Sequence, residues 1–172
     1  MNVVAIAPSQ SDVAPGLPGY HLDFPGDALR PAKCVYHDLQ EAILAERPST
    51  VYGRVAIAPA VPDRIAVQYW FFYVLNDWKN RHEGDWEMIQ IEFPASNAAE
   101  ALTTGPDRAA FAQHSGARVL SWDDDDMTIM DATHPVVFPG AGSHASYSCS
   151  GLFIARGAEQ GFGCYDSGST ET

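Results

Sequence analysis

The stretch Arg64–Phe93, RIAVQYWFFYVLNDWKNRHEGDWEMIQIEF, decides the fold. Its first part, Arg64–Leu75, is β-branched and aromatic, as strands are, and both of its alternating sets of side chains are apolar. That pattern predicts a central strand that is buried on both faces. Its last part, Trp86–Phe93, alternates polar and apolar residues and predicts a second strand. If the two strands form a hairpin, the polar residues between them lie at one rim of a sheet.

Segments on either side extend the prediction of a β protein. Tyr36–Glu46 carries Leu39, Ile43 and Leu44 at helical spacing and predicts a helix. Further strands are predicted in Val51–Ile57, Ala109–Trp122 (two strands that turn at Ser115-Gly116) and Thr133–Phe138, and a short helix in the polar connection Asn97–Arg108. The sum is a mostly β domain, a two-sheet β-sandwich with one or two peripheral helices. We expect an extended arm over residues 1–33, one domain over 34–165 and a flexible tail over 166–172.

Length, charge and cysteine content narrow the class of protein. The chain has 172 residues, 46% of them hydrophobic, and a net charge of −12. Such a surface repels phosphate backbones, so nucleic acid is not an expected partner. No apolar run reaches the ~18 residues that span a bilayer, and the chain fits either a cytoplasmic protein or a secreted one whose leader lies outside this sequence. Cys149 and Cys164 could form a disulfide or remain free thiols.

The strand alternation places two carboxylates at the end of the apolar face. If the second strand begins near Asp85, then Asp85 and Glu87 project to the same side as Ile89, whereas Trp86 turns to the opposite side to pack. Neighbouring carboxylates repel each other, and burial raises the cost. Such a pair persists if it is protonated, matched with arginine or bridged by a cation.

Two further residues complete the predicted ligand set. His82 precedes the strand, and Asp77 ends the strand before it, so a hairpin would bring both to the rim. Carboxylates with one imidazole suit Mg²⁺, Ca²⁺ or Mn²⁺. The predicted ligands are therefore Asp77, His82, Asp85 and Glu87, with water completing the shell. The alternatives are solvated side chains, or pairing of the carboxylates with Arg81 or Lys79.

His114 and His144 are the candidate catalytic residues. Each lies beside Ser and Gly at the end of a short predicted segment, and both could reach the same end of a sandwich. A histidine that titrates near neutral pH can serve as a general base.

Three blocks carry a resemblance to a known family. QYWFFYVLNDWKNRHEGDWEMIQIEF, FAQHSGARVLSW and HPVVFPGAGSHASY occur in this order and together resemble the vacuolar protein sorting-associated protein 62-like family over roughly residues 51–150. The H-x-x-D-W-E core is similar, more remotely, to the G-H-R-H-D-W-E heptapeptide of the necrosis- and ethylene-inducing peptide-like cytolysins. Those cytolysins are secreted β-sandwich proteins that hold Mg²⁺ or Ca²⁺ and bind sphingolipid head groups at plant membranes, so the resemblance implies a β-sandwich with a divalent-cation site.

Carried over by position, the cytolysin motif implies His82, Asp85 and Glu87 as ligands, with Asp77 as the upstream acid. Glu83 and Gly84 replace its Arg and its second His, so the resemblance does not extend to toxicity or glycolipid binding.

Three functions follow as expectations. The first is a divalent-cation-binding β-sandwich whose pocket takes a small anionic or polyol ligand, such as a lipid head group or a glycan. The second is a metal-dependent hydrolase of phosphodiesters or esters. The third is a structural domain whose acidic cluster forms an internal salt-bridge network with Arg81 or Arg54.

Overall fold

The computed structural model describes residues 23–46, 49–57, 60–78, 80–113 and 116–151. In these ranges the helices are α1 (Val35–Glu46) and α2 (Ala98–Thr104), and the strands are β1 (Tyr52–Ile57), β2 (Ile65–Asn76), β3 (His82–Phe93), β4 (Arg108–Gln113), β5 (Gly116–Ser121), β6 (Ile129–Met130), β7 (His134–Pro135), β8 (Phe138–Pro139) and β9 (Ser146–Tyr147). The mostly β class and the two helices are confirmed.

The main sheet is a five-stranded antiparallel sheet in the order β1-β2-β3-β4-β5. Its centre is the predicted hairpin, in which β2 and β3 pair from Ile65 opposite Phe93 to Asn76 opposite His82. The start of β3 differs from the prediction, because the strand begins at His82 rather than near Asp85. Backbone pairing with β2 continues through these polar residues, and Gly84 supplies a positive φ of 70° within the strand.

A second layer covers one face of the main sheet. Ile89 and Phe111 are opposite each other on β3 and β4, and they are buried in one cluster with Met127, against which Ile129 and Val137 pack. The layer consists of two two-stranded sheets, β6-β7 and β8-β9, and their loops. The predicted single strand over residues 133–138 is therefore wrong, because its ends belong to two different small sheets.

Burial of β2 on both faces is also a wrong prediction. Only its ends are fully buried, at Ile65 and over Val74–Asn76, and Tyr69 in the middle is 38% exposed. The physical reason is the position of the second layer, which packs on β3, β4 and β5. The neighbouring β1 exposes five of its six residues.

The helices close the two ends of the hairpin. Tyr36 of α1 packs on Val74 and Leu75, where β2 ends, and Ala101 of α2 packs on Ile65, where β2 begins. Neither described helix is long and apolar enough to cross a membrane.

Several sequence predictions fall partly or wholly outside the described residues. They concern His114, the tail over residues 166–172 and most of the arm over residues 1–33. Of the cysteines, Cys34 is disulfide-bonded and Cys149 is a free thiol, so the disulfide considered for Cys149 is absent. Cys164 lies outside the described ranges.

Candidate functional site

The two carboxylates of β3 lie on one face of the strand, as the alternation predicts. Asp85 is 9% exposed and Glu87 is 5% exposed, whereas Trp86 between them is 49% exposed on the opposite face. On that face Trp86 packs against the rings of Tyr52 and Phe72, with centroids 5.3 and 5.0 Å away. The covered face of the sheet therefore carries two buried acidic groups side by side.

His144 reaches Asp85 from the second layer. Its Nδ1 lies 3.1 Å from Asp85 Oδ2, and its ring stacks on Tyr73 with a centroid distance of 3.9 Å and an interplanar angle of 4°. The loop before β9 delivers the side chain, and His144 itself adopts a left-handed φ of 55°. His144, a candidate catalytic residue that was expected to reach this end of the sandwich, is thus in direct contact with one of the carboxylates.

His82 approaches Asp85 from the start of β3. Its Nδ1 lies 2.6 Å from the backbone carbonyl oxygen of Asn80, and its Nε2 lies 3.6 Å from Asp85 Oδ1. Because a carbonyl oxygen can only accept, Nδ1 donates its proton to Asn80, and Nε2 is the ring nitrogen that faces Asp85. Ligating histidines commonly have this arrangement, in which a backbone carbonyl fixes the tautomer.

Asn76 is a polar residue of the site that did not enter the predicted ligand set. It is 1% exposed, and its Nδ2 contacts Asn80 Oδ1 at 3.1 Å and His82 Nδ1 at 3.3 Å. Its Oδ1 is buried and makes no hydrogen bond within the described part of the chain. Its position immediately before Asp77, at the end of β2, was the signal in the sequence that pointed to it.

Asp77 is placed differently from the other predicted ligands. It is 5% exposed, and its Oδ1 accepts a hydrogen bond of 2.5 Å from Arg81 Nε. Its backbone N–H donates to the carbonyl of Gly142 in the loop that carries His144. The structure therefore makes Asp77 part of an ion pair with Arg81, the arginine that the sequence offered as the rival partner.

Glu87 has a strongly perturbed pKa. Burial raises the pKa of its carboxyl to about 7, and the nearby charge of Asp85 adds to the effect. The pKa of the Tyr147 hydroxyl is raised too, first by burial and then by the charge of Glu87. Glu87 therefore keeps its proton to a higher pH than an exposed glutamate does.

Glu83 has a structural task outside this cluster. Its carboxylate accepts a hydrogen bond from the Tyr36 hydroxyl and another, of 2.8 Å, from the backbone N–H of Phe24. It ties α1 and the segment before it to β3. Its exclusion from the predicted ligands is consistent with this placement.

Some residues of this cluster are suitable ligands for a divalent cation, and others are not. Buried carboxylates, an imidazole nitrogen with a fixed tautomer and the unbonded oxygen of Asn76 are suitable donors for a hard cation. Asp77 does not fit, because Arg81 already neutralises it. As the side chains lie, no three or more His, Cys, Asp or Glu of the described ranges form a group that could hold a metal ion.

Comparisons with known proteins add little to this picture. No family model and no curated protein matches the chain, so the resemblance to the vacuolar protein sorting-associated protein 62-like family has no support from these comparisons. Solved structures similar to part of it include NLPPya in complex with glucosamine, at 19% identity, and a toxin fold for microbial attack and plant defense, at 18%. Each match has a TM-score of 0.39 and covers 50% of this chain.

The chain spans only 36% and 37% of the length of those two solved chains. Structural similarity at this TM-score carries no argument about function.

Proposed function

We propose that this chain is a divalent-cation-dependent ligand-binding domain, with Asp85, Glu87 and His82 holding the ion. The observation that carries the proposal is the convergence on Asp85. Nε2 of His82 faces one carboxylate oxygen, His144 contacts the other, and Glu87 lies beside them on the same buried face.

Each residue of the site would have a different role in binding the ion. Asp85 and Glu87 supply the negative charge, and the Asn80 carbonyl orients His82 so that its Nε2 is available. His144 positions Asp85, and Tyr73 holds the His144 ring by stacking. When bound, the ion would offer its remaining positions to the oxygen atoms of an anionic or polyol ligand, such as a lipid head group or a sugar. Side chains must move to take up the ion, since no three of them form a ready group.

Isothermal titration calorimetry with CaCl₂, MgCl₂ and MnCl₂ tests the proposal. We expect saturable binding to the wild type and a loss of about 100-fold or more in Asp85→Asn, because a neutral amide replaces the central carboxylate. Asp107→Asn is the matched control. It removes an equal charge at the other end of the sheet, where Arg64 already pairs with Asp107, and should leave binding within about twofold. Absence of binding heat for the wild type with all three ions would refute the proposal.

A metal-dependent hydrolase of phosphodiesters or esters is the second candidate function. It is favoured by the contact between Asp85 and His144, since a carboxylate that orients an imidazole is the usual support of a general base. His114, the other candidate, lies outside the described residues. Turnover of a phosphodiester and ester panel that requires added cation and is lost in His144→Asn would support the hydrolase. Cation binding without any turnover would exclude the hydrolase and support only the binding function.

A further inference from the structure

A cleft of about 580 Å³ has Arg81 in its lining but neither Asp85 nor Glu87. It is formed between the segment before α1, the first turn of α1 and the end of β2. Leu29, Pro31 and Leu75 give it apolar walls. Its volume is in the range of small-molecule sites, which are mostly apolar with a few placed polar groups.

The charges that line this cleft are opposite in sign to the protein as a whole. Among the described residues, Arg30, Lys33 and Arg81 all line it, together with His37 and one carboxylate, Asp77. These are three of the 10 Lys and Arg residues in a chain whose net charge is −12. Such a local excess of cations is the electrostatic requirement for binding an anion.

Arg81, one of the residues that line the cleft, is held in place by an ion pair. Asp77, which is 5% exposed, binds its Nε, and Asp77 is itself fixed through its backbone N–H to Gly142. A guanidinium has five N–H donors, so this bond leaves the donors on both Nη atoms to face other groups. A buried carboxylate that orients an arginine is a common way to present a fork to an oxyanion.

The other two cations of the lining are exposed. They are Arg30 and Lys33, and Lys33 has a left-handed backbone with φ 56°. Three described carboxylates close to them in the sequence have other partners. Asp27 accepts from the backbone N–H groups of Leu29 and Arg30, and Asp38 and Glu41 lie on the exposed side of α1, within 3.9 Å of His37.

We propose that this cleft binds a small organic phosphate, with Arg81 contacting the phosphate group, Arg30 and Lys33 closing over it, and the organic part resting on Leu29, Pro31 and Leu75. A phosphate ester suits the cleft better than a bare carboxylate, because three cations line it and the volume exceeds that of the anion alone. The site is separate from the proposed cation site and does not depend on it.

Titration calorimetry of the full chain in EDTA tests this inference, since chelation removes any phosphate binding through a metal. Glycerol 3-phosphate should bind with a Kd of about 1 mM or tighter, and glycerol should give no heat. Titration with inorganic phosphate shows whether the cleft recognises the phosphate group alone or the whole ester. Weaker binding than that of the ester shows that the apolar walls contribute, and equal binding shows that the free anion is the ligand.

Two double variants give a matched comparison. Arg30→Gln with Lys33→Gln removes two exposed cations at the cleft and should weaken binding about tenfold or more. Arg54→Gln with Arg118→Gln removes two cations elsewhere and should change binding less than twofold. All four positions are exposed or partly exposed, so the fold should be retained. Lack of binding by the wild type up to about 10 mM ligand, well above the expected Kd, or equal losses in both double variants, would overturn the inference.

Discussion

Two acidic clusters lie at opposite ends of β3, and their surroundings differ. At the far end, Glu92 binds Arg108 at 2.6 Å, and Asp107 receives two hydrogen bonds of 2.8 Å from Arg64. At the near end, Asp85 and Glu87 are buried side by side, and Asp85 contacts His82 and His144 instead of an arginine. We call these the arginine cluster and the histidine cluster.

The pKa values of the two clusters move in opposite directions. The Arg64 guanidinium lowers the pKa of Asp107, whereas burial and Asp85 raise the pKa of Glu87 to about 7. A carboxylate with a fixed cation stabilises the fold and has little affinity left for a ligand. A buried carboxylate pair with an elevated pKa costs stability, and we infer that a cation would lower this cost.

The largest expected effect is an opposite change in stability for one substitution made in both clusters. At pH 8 in EDTA, Glu87→Gln should raise the free energy of unfolding by about 3 kcal/mol, because the shift from 4.5 to about 7 represents a penalty of that size for the charged form. Glu92→Gln should lower it by about 1–3 kcal/mol through the weakened arginine pairs. Urea denaturation measures both changes. A change of the same sign in both variants would contradict the difference between the two clusters.

The pH profile should show the same difference in the wild type. The folded state binds the Glu87 proton more tightly than the unfolded state, so stability is full below pH 4.5 and falls by up to about 3 kcal/mol as the pH rises to 7. Asp107 has a lowered pKa, and its contribution is lost only when the pH falls below its ordinary 3.8. Denaturation midpoints in EDTA from pH 4 to 8 should decline for the wild type. In Glu87→Gln this part of the decline should be absent, and an unchanged slope would contradict the assignment.

Gly142→Ala should destabilise the histidine cluster by about 2 kcal/mol. Gly142 has φ 77°, and an added Cβ would lie 2.8 Å from the carbonyl oxygen of Asp77, so both backbone strain and a clash result. Gly116→Ala, in β5, is the control, since nothing lies within 4 Å of its Cβ position. Thermal unfolding compares the two, and an equal change in Tm would show that the loop at Gly142 can move without cost.

The smallest effect is expected for His144→Asn. Asparagine tolerates the left-handed backbone of this position, so the loop should persist, while Asp85 loses the ring that orients it. Cation affinity should fall about tenfold, as for other groups that hold a ligand rather than bind the ion. Calorimetry with CaCl₂ measures this, and a loss as large as that in Asp85→Asn would make His144 a ligand instead.

The fold and half of the site could be predicted from local pattern. Alternation in β3 was sufficient to place Asp85 and Glu87 on the covered face, because strand geometry fixes the side on which each residue lies. The prediction did not include the first three residues of β3, from His82 to Gly84. They do not show the alternation of a strand, and backbone pairing with β2 holds them in the sheet. Burial of β2 on both faces was predicted wrongly, because the extent of the covering layer depends on segments more than 30 residues away.

The remaining contacts of the site depend on distant or competing partners. Asp85 and His144 are 59 residues apart in the chain, and only the tertiary fold brings them together. From its position in the sequence, Asp77 could either join the cluster around Asp85 or pair with Arg81. Residue spacing does not decide between these two partners. The structure places it with Arg81.

A crystal structure grown with MnCl₂ tests the central claim most directly. Anomalous scattering locates manganese without reference to the protein atoms. We expect one strong peak between the carboxylates of Asp85 and Glu87, in contact with His82 Nε2, and none at Glu92 or Asp107. An empty histidine cluster at saturating manganese, or a peak at the arginine cluster instead, would contradict it.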